Sequence, residues 1–247
     1  MPYIKEIEAF IENWAPRELA EAWDNPGTLV KFDGEVKGVL CALDITRATV
    51  LEAAQNGCNV ILAHHPVIFS PIKAIDGDSA VALLLQNKIT AICAHTNLDS
   101  ANGGVNDTLA ALFDMQSTSA FVPCGRIGTL KTPMTATQLA AKCTEILGSH
   151  GTFFDSGKAI KTLAVVSGAG GDFYKEAQSA GADCLLTGEM HYHHALDAAN
   201  DNFSFVAAGH FETECPITTV MAQKLSAEFA GMKILISKTN KTPFSHF

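Results

Sequence analysis

The sequence predicts an α/β protein made of two similar α/β halves with largely parallel sheets. Two observations carry this expectation. Apolar runs of strand length alternate with segments of helical period along most of the chain, and one helix–strand segment recurs in the second half. The halves are expected at residues 1–125, including N-terminal helices, and 126–247.

Each element has its own justification. "IKEIEAFIENW" places Ile4, Ile7, Phe10, Ile11 and Trp14 at helical spacing, an amphipathic helix. "GVLCALD" reads as a strand, "TRATVLEAAQNG" as a helix capped by Thr46 and stopped by Gly57, and "NVILAHH" as the next strand. "SAVALLLQN" (helix), "ITAICAH" (strand) and "VNDTLAALFDM" (helix) follow. The middle around "PCGRIGTLKTPMT" reads as less regular, before the helix "TATQLAAKCTEILG". Alternation then resumes with "IKTLAVVSGAGG", helix "DFYKEAQSAG", strand "ADCLLTGE", helix "HYHHALDAAN", strand "FSFVAAGH", a long helix to Ala230 and a last strand "MKILIS".

Composition bounds the function. Of 247 residues, 47% are hydrophobic and 17% charged, enough for a sizeable core in one large domain or two intertwined smaller ones. A formal net charge of −9, with lysines and arginines scattered singly, leaves no basic stripe for a nucleic-acid backbone. Seven cysteines (Cys41, Cys58, Cys93, Cys124, Cys143, Cys184 and Cys215) include no C-x-x-C pair and suit a reducing cytoplasm. The acidic start is unlike a signal peptide and no stretch is long enough to span a membrane, so a cytoplasmic location is expected.

The recurrent segment directs attention to the strand ends. "EAAQNGCNVILAHH" (52–65) and "EAQSAGADCLLTGE" (176–189) align without gaps, with His65 opposite Glu189. Each is followed by a helix and an apolar strand ending in His-x-x-x-acid: His95 and Asp99 in one half, His210 and Glu214 in the other. Two facing halves related by a pseudo-twofold axis would bring four strand ends to one cleft.

His64, His65, Asp99, His210 and Glu214 supply three imidazoles and two carboxylates, a donor set for two metal ions about 3.5–4 Å apart. His95 is either a further ligand or a support for one. Nitrogen and oxygen donors without thiolate admit zinc, manganese, iron, cobalt or nickel. Glu189 and the neighbouring His191, His193 and His194 are candidates for proton transfer, with an exposed helix face as the plainer reading of the histidines. "SGAGGD" (167–172) offers backbone N–H groups, but Asp172 there would repel an anion. Cys215 has no base beside it and reads as structural, and Asp24 in "WDNPG" either bonds a ligand histidine or caps the turn.

Taken together, "WDNPG", "ALDIT", "ILAHHPVIF", "HTNLD", "GGVND", "LLTGE" and "AAGHFETE" make the chain resemble the NIF-three-like dinuclear-metal-centre family, homologues of type 2 GTP cyclohydrolase I, nearly end to end. The resemblance implies metal ligands at His64, His65, Asp99, His210 and Glu214, with Glu214 bridging two divalent ions and His95 close by. It also implies a homohexameric ring and a small, nucleotide-like substrate whose imidazole ring is opened with release of formate; in such a reaction Glu189 or one of the nearby histidines, His193 among them, would move the proton. A metal-binding adaptor or metal-delivery protein without catalysis is the alternative. The chain departs from the family after "WDNPG", where it reads "TLVKFDGEVKG".

Overall fold

A computed structural model describes residues 1–245, so the last two residues of the expected second half lie outside the described residues. The chain forms two compact units. The first comprises Met1–Asn102 and Ile217–Lys241; the second comprises Gly103–Pro216 and residues 242–245. This corrects the expected boundary at 125/126 in two ways. The segment from residue 103 packs with the second unit, and the chain returns to the first unit after Pro216, because its last strand pairs with an early one.

The first unit opens with helix α1 (Ile4–Trp14), which buries Ile4, Ile7 and Ile11 along one stripe. Its sheet contains β1 (Gly27–Val30), β2 (Val39–Ala42), β3 (Val60–Ala63), β4 (Thr90–Cys93) and β11 (Ile234–Ile236) in the order β1-β4-β3-β2-β11. The β4, β3, β2 and β11 pairings are parallel, and β1 runs antiparallel along β4. Every residue of β2, β3 and β4 is buried, as strands covered on both faces must be. Helix α2 (Arg47–Gln55) starts where expected, Thr46 Oγ1 accepting from the Thr49 amide at 3.2 Å. Helices α3 (Ala80–Gln86), α4 (Thr96–Ser100) and α10 (Ile217–Glu228) complete the unit.

The second unit contains α5 (Val105–Leu112), β5 (Met115–Phe121), β6 (Gly125–Met134), α6 (Ala136–Leu147), β7 (Thr152–Phe154), β8 (Ile160–Val166), α7 (Tyr174–Ser179), β9 (Cys184–Thr187), α8 (Tyr192–Asn200), β10 (Ser204–Ala207) and α9 (His210–Glu214). Its sheet order is β5-β6-β8-β9-β10-β7. The centre β8-β9-β10 is parallel and antiparallel strands flank it on both sides.

The two aligned segments fold alike. Gly57 and Gly181 both take positive φ (+67° and +84°) just after their helices, and the aligned strands are β3 and β9. In each sheet an antiparallel strand closes one end of the parallel run, β1 beside β4 and β7 beside β10.

Two expectations need correction. The middle read as less regular is strand β6, paired with β5 in a hairpin. Its glycines suggest a loop, yet a Cβ on Gly128 would lie 2.8 Å from the Gln116 carbonyl oxygen, so glycine there permits the close approach of two strands. The long helix expected to reach Ala230 is broken into α9 and α10 at Cys215 and Pro216, where proline lacks the amide a continuous helix needs.

Candidate metal centre

In the first unit, sheet pairing extends past β3. The His64 and His65 amides donate to the Ala42 and Leu43 carbonyls at 3.3 and 2.9 Å, so both residues are held by the backbone ladder. Their rings nevertheless lie close, with centroids 5.0 Å apart. His64 is completely buried and its Nδ1 meets the Ala94 carbonyl at 2.9 Å. His65 Nδ1 meets Asp44 Oδ1 at 2.7 Å. Asn240 grips Asp44 in turn: its Nδ2 donates to Asp44 Oδ2 at 3.1 Å, and its Oδ1 accepts the Asp44 amide at 2.9 Å and the Leu43 amide.

His95 stands at the N-terminus of α4, its amide donating to Asn97 Oδ1 at 2.8 Å. Its ring centroid is 5.2 Å from that of His64 and 5.6 Å from that of His65. His95 Nδ1 meets Asp24 Oδ1 at 2.8 Å, and the same oxygen accepts the Asn25 amide at 2.7 Å, so the "WDNPG" acid both bonds a histidine and caps its turn. Asp24 Oδ2 also accepts the Thr96 amide at 3.0 Å and the Thr96 hydroxyl at 2.5 Å. Burial pushes the Asp24 carboxyl up, but the bonds from His95 and Thr96 outweigh it and hold its pKa at about 2.

These partners settle the chemistry of the rings. A carbonyl or carboxylate can only accept, so each Nδ1 carries the proton and each Nε2 lone pair points away. One ligand atom from each of His64, His65 and His95 lies within 4.8 Å of the others, close enough to hold one ion. Asp99, one turn after His95, places Oδ1 3.5 Å from His64 Nε2. An imidazole lone pair and a carboxylate oxygen repel at that distance unless a proton or a metal cation lies between them. The residues therefore fit a metal ion.

In the second unit two acids flank one histidine. Gly209, with φ +96°, turns the chain from β10 into α9, whose first residue is His210. His210 Nδ1 lies 3.2 Å from Glu189 Oε1, and its Nε2 lies 3.1 Å from Glu214 Oε2 one turn later. Glu214 is buried. Gly168 forms part of its floor: φ is +58°, and an added Cβ would stand 2.1 Å from Glu214 Oε1. The Gly168 amide donates to Thr213 Oγ1 at 3.1 Å, so this part of "SGAGGD" serves the Glu214 helix.

The structure thus brings His64, His65, His95 and Asp99 together in one unit, and Glu189, His210 and Glu214 in the other. His193 lies in a separate cluster, 4.0 Å from His194 between ring centroids, and His194 Nδ1 pairs with Asp172 at 2.8 Å. His191 packs 5.8 Å from His193 with nearly parallel rings. Cys215 lies at the end of α9 and forms no disulfide bond. Sequence reasoning gave no role to Asp44 or Asn240, and it took Glu189 for a proton carrier without its position on His210. The acid ending "ALD" on β2, the strand beside β3, was the available signal for Asp44.

Among the described residues, no helix is long and apolar enough to cross a membrane. A Clostridium acetobutylicum protein named GTP cyclohydrolase 1 type 2 homolog is 32% identical over 98% of this chain and 97% of its own length. The crystal structure of Staphylococcus aureus protein SA1388 is similar at a TM-score of 0.91 and 25% identity, covering 100% of this chain and 99% of that one. A Bacillus cereus protein related to NIF3 has a TM-score of 0.90 at 25% identity, with coverage of 100% and 99%. The family model described as Duf34/NIF3 (NGG1p interacting factor 3) matches residues 2–243. From the recurrent strand–helix units, the histidines at their strand ends and this full-length match, the chain belongs to the DUF34/NIF3 family.

Proposed function

We propose that this protein is a dinuclear metal-dependent hydrolase of a small, nucleotide-like substrate, of the type 2 GTP cyclohydrolase I class. His64, His65 and Asp99 of the first unit and His210 and Glu214 of the second are the residues that would hold two divalent ions, with His95 beside the first three.

One observation carries this reading. Four imidazoles, His64, His65, His95 and His210, have Nδ1 tied to a carbonyl or carboxylate oxygen, leaving Nε2 as the donor. Such support is how proteins orient and strengthen metal-binding histidines. Bound divalent ions would polarise a substrate oxygen and make water a nucleophile at neutral pH.

The chain's own residues do the rest. Asp44, Asp24 and Glu189 hold three of the rings in one tautomer, and the Ala94 carbonyl holds the fourth. Asp99 and Glu214 add the negative charge that favours divalent over monovalent cations. Glu189 orients His210, and its half-exposed carboxylate, with the exposed His193, is assigned to proton transfer. The seven cysteines, none in a disulfide, and the donor set suit work in a reducing cytoplasm, and the resemblance supports a homohexamer.

The test is metal analysis of protein purified without chelator or added metal, paired with formate release from GTP. Two ions per chain with formate released are expected. Two ions with no formate would remove GTP as the substrate and favour metal delivery; the absence of bound metal would remove the dinuclear reading.

A further inference from the structure

Beside the imidazole cluster of the first unit stand two large aromatic side chains that the core leaves open. Trp23 is 59% exposed and Phe69 53% exposed. Their ring centroids are 5.8 Å apart, and both rings meet His95 edge to face, Trp23 at 6.1 Å and Phe69 at 6.5 Å. An exposed apolar pair bordering a group of convergent polar donors is characteristic of a ligand site.

The pair is held in place. Asp24, next to Trp23, is anchored on His95 and Thr96. Asn25 Nδ2 donates to the Ile68 carbonyl at 2.6 Å, tying the turn that carries Trp23 to the segment that carries Phe69. Val67 and Ile68 pack against the first-unit core, leaving Phe69 as the residue that emerges from it. The turn that orients His95 therefore also fixes the two aromatics at its side.

We propose that Trp23 and Phe69 form an aromatic subsite that holds the flat heteroaromatic ring of a nucleobase-type substrate beside His95. The substrate class rests on the hydrolase reading above, since GTP carries such a ring; the subsite itself rests on the two side chains and their contact with His95. Rings of this kind gain by offset stacking and edge-to-face contact with tryptophan and phenylalanine, whatever their hydrogen-bonding pattern.

The chain has two tryptophans, so a Trp14→Phe variant leaves Trp23 as the sole indole reporter. In this metal-loaded, full-length variant, guanosine 5′-monophosphate should quench the emission saturably, whereas ribose 5-phosphate, which lacks the ring, should not. In the otherwise unaltered chain, Trp23→Leu or Phe69→Leu should weaken guanosine monophosphate binding in equilibrium dialysis roughly tenfold to a hundredfold, with metal content unchanged. Equal quenching by ribose 5-phosphate, or no loss of affinity in either variant, would overturn the subsite. So would emission that responds only to protein concentration, since a second copy would then cover the pair. Saturable, ring-dependent quenching without formate release would support the subsite while the hydrolase reading fails. Formate release undiminished by both substitutions would overturn the subsite while that reading stands.

Discussion

Asp24 Oδ1 lies 2.8 Å from His95 Nδ1 across a sequence separation of 71 residues, and the same carboxylate grips Thr96 with its other oxygen. A ring and the helix start that follows it are thus oriented by one side chain in the "WDNPG" turn. Asp24→Asn keeps the shape but no longer enforces one tautomer on His95. Metal affinity should fall about 10–100-fold, the usual cost of removing such support. Isothermal titration of apo protein with zinc, alongside circular dichroism to show that the fold persists, checks this; unchanged affinity would remove Asp24 from the site.

Asn240 bears on the same cluster through Asp44. Asn240→Ala removes the donor on Asp44 Oδ2 and the acceptor for two backbone amides, loosening the carboxylate that holds His65. A smaller loss of metal affinity than for Asp24→Asn is expected, with a stability cost of about 1–3 kcal/mol from unmet hydrogen bonds. Denaturant midpoints and bound-metal content read the two effects separately.

Glu52 offers a prediction about pH. Its carboxylate accepts from the Ser237 hydroxyl at 2.6 Å, the Lys238 amide at 2.8 Å, the Thr239 hydroxyl at 2.7 Å and the Thr239 amide at 3.2 Å, pinning the segment that leads to Asn240. Burial pushes its pKa up, but these bonds prevail and bring it below the ordinary 4.5. A lowered folded-state pKa adds stability that is fully present above the ordinary value and is lost as pH falls through the folded one. Glu52→Gln should therefore lower stability by about 1 kcal/mol at neutral pH. The gap between variant and parent should close in acid, as urea unfolding at neutral and low pH would show.

Gly168 is predicted to tolerate no side chain. In Gly168→Ala the new methyl would meet Glu214 Oε1 at 2.1 Å with φ at +58°. The loss should exceed about 1 kcal/mol, since alanine is strained at positive φ and the acid must also move. Thermal denaturation with metal analysis should show lower stability and fewer bound ions; a wild-type metal content would mean that Glu214 is not a ligand.

Glu214→Gln tests the proposed activity directly. It keeps the volume of the buried side chain while removing the charge that would help hold the ions. Formate release from GTP should be abolished with the circular dichroism spectrum unchanged. Full turnover with two ions still bound would refute the assignment.

Much of this was legible from local pattern. The buried runs of β2, β3, β4, β9 and β10, the Thr46 cap and the Gly57 stop depend on periodicity and on side chains a few residues apart, so a linear reading finds them. The histidines and acids at the strand ends were equally visible, because they terminate apolar runs and recur in both halves.

The linear order of residues puts each donor at its strand end, while folding assigns each carboxylate to its ring. Asp44 reaches His65 because β2 lies beside β3, and Asn240 reaches Asp44 because β11 pairs with β2. Strand order is a long-range property that no window of sequence contains. The β5–β6 hairpin was hidden for a related reason: Gly128 resembles a loop residue until a neighbouring strand approaches to within 2.8 Å of where its Cβ would be. Residue type carries the chemistry of a donor, while its orientation comes from neighbours that only folding brings together.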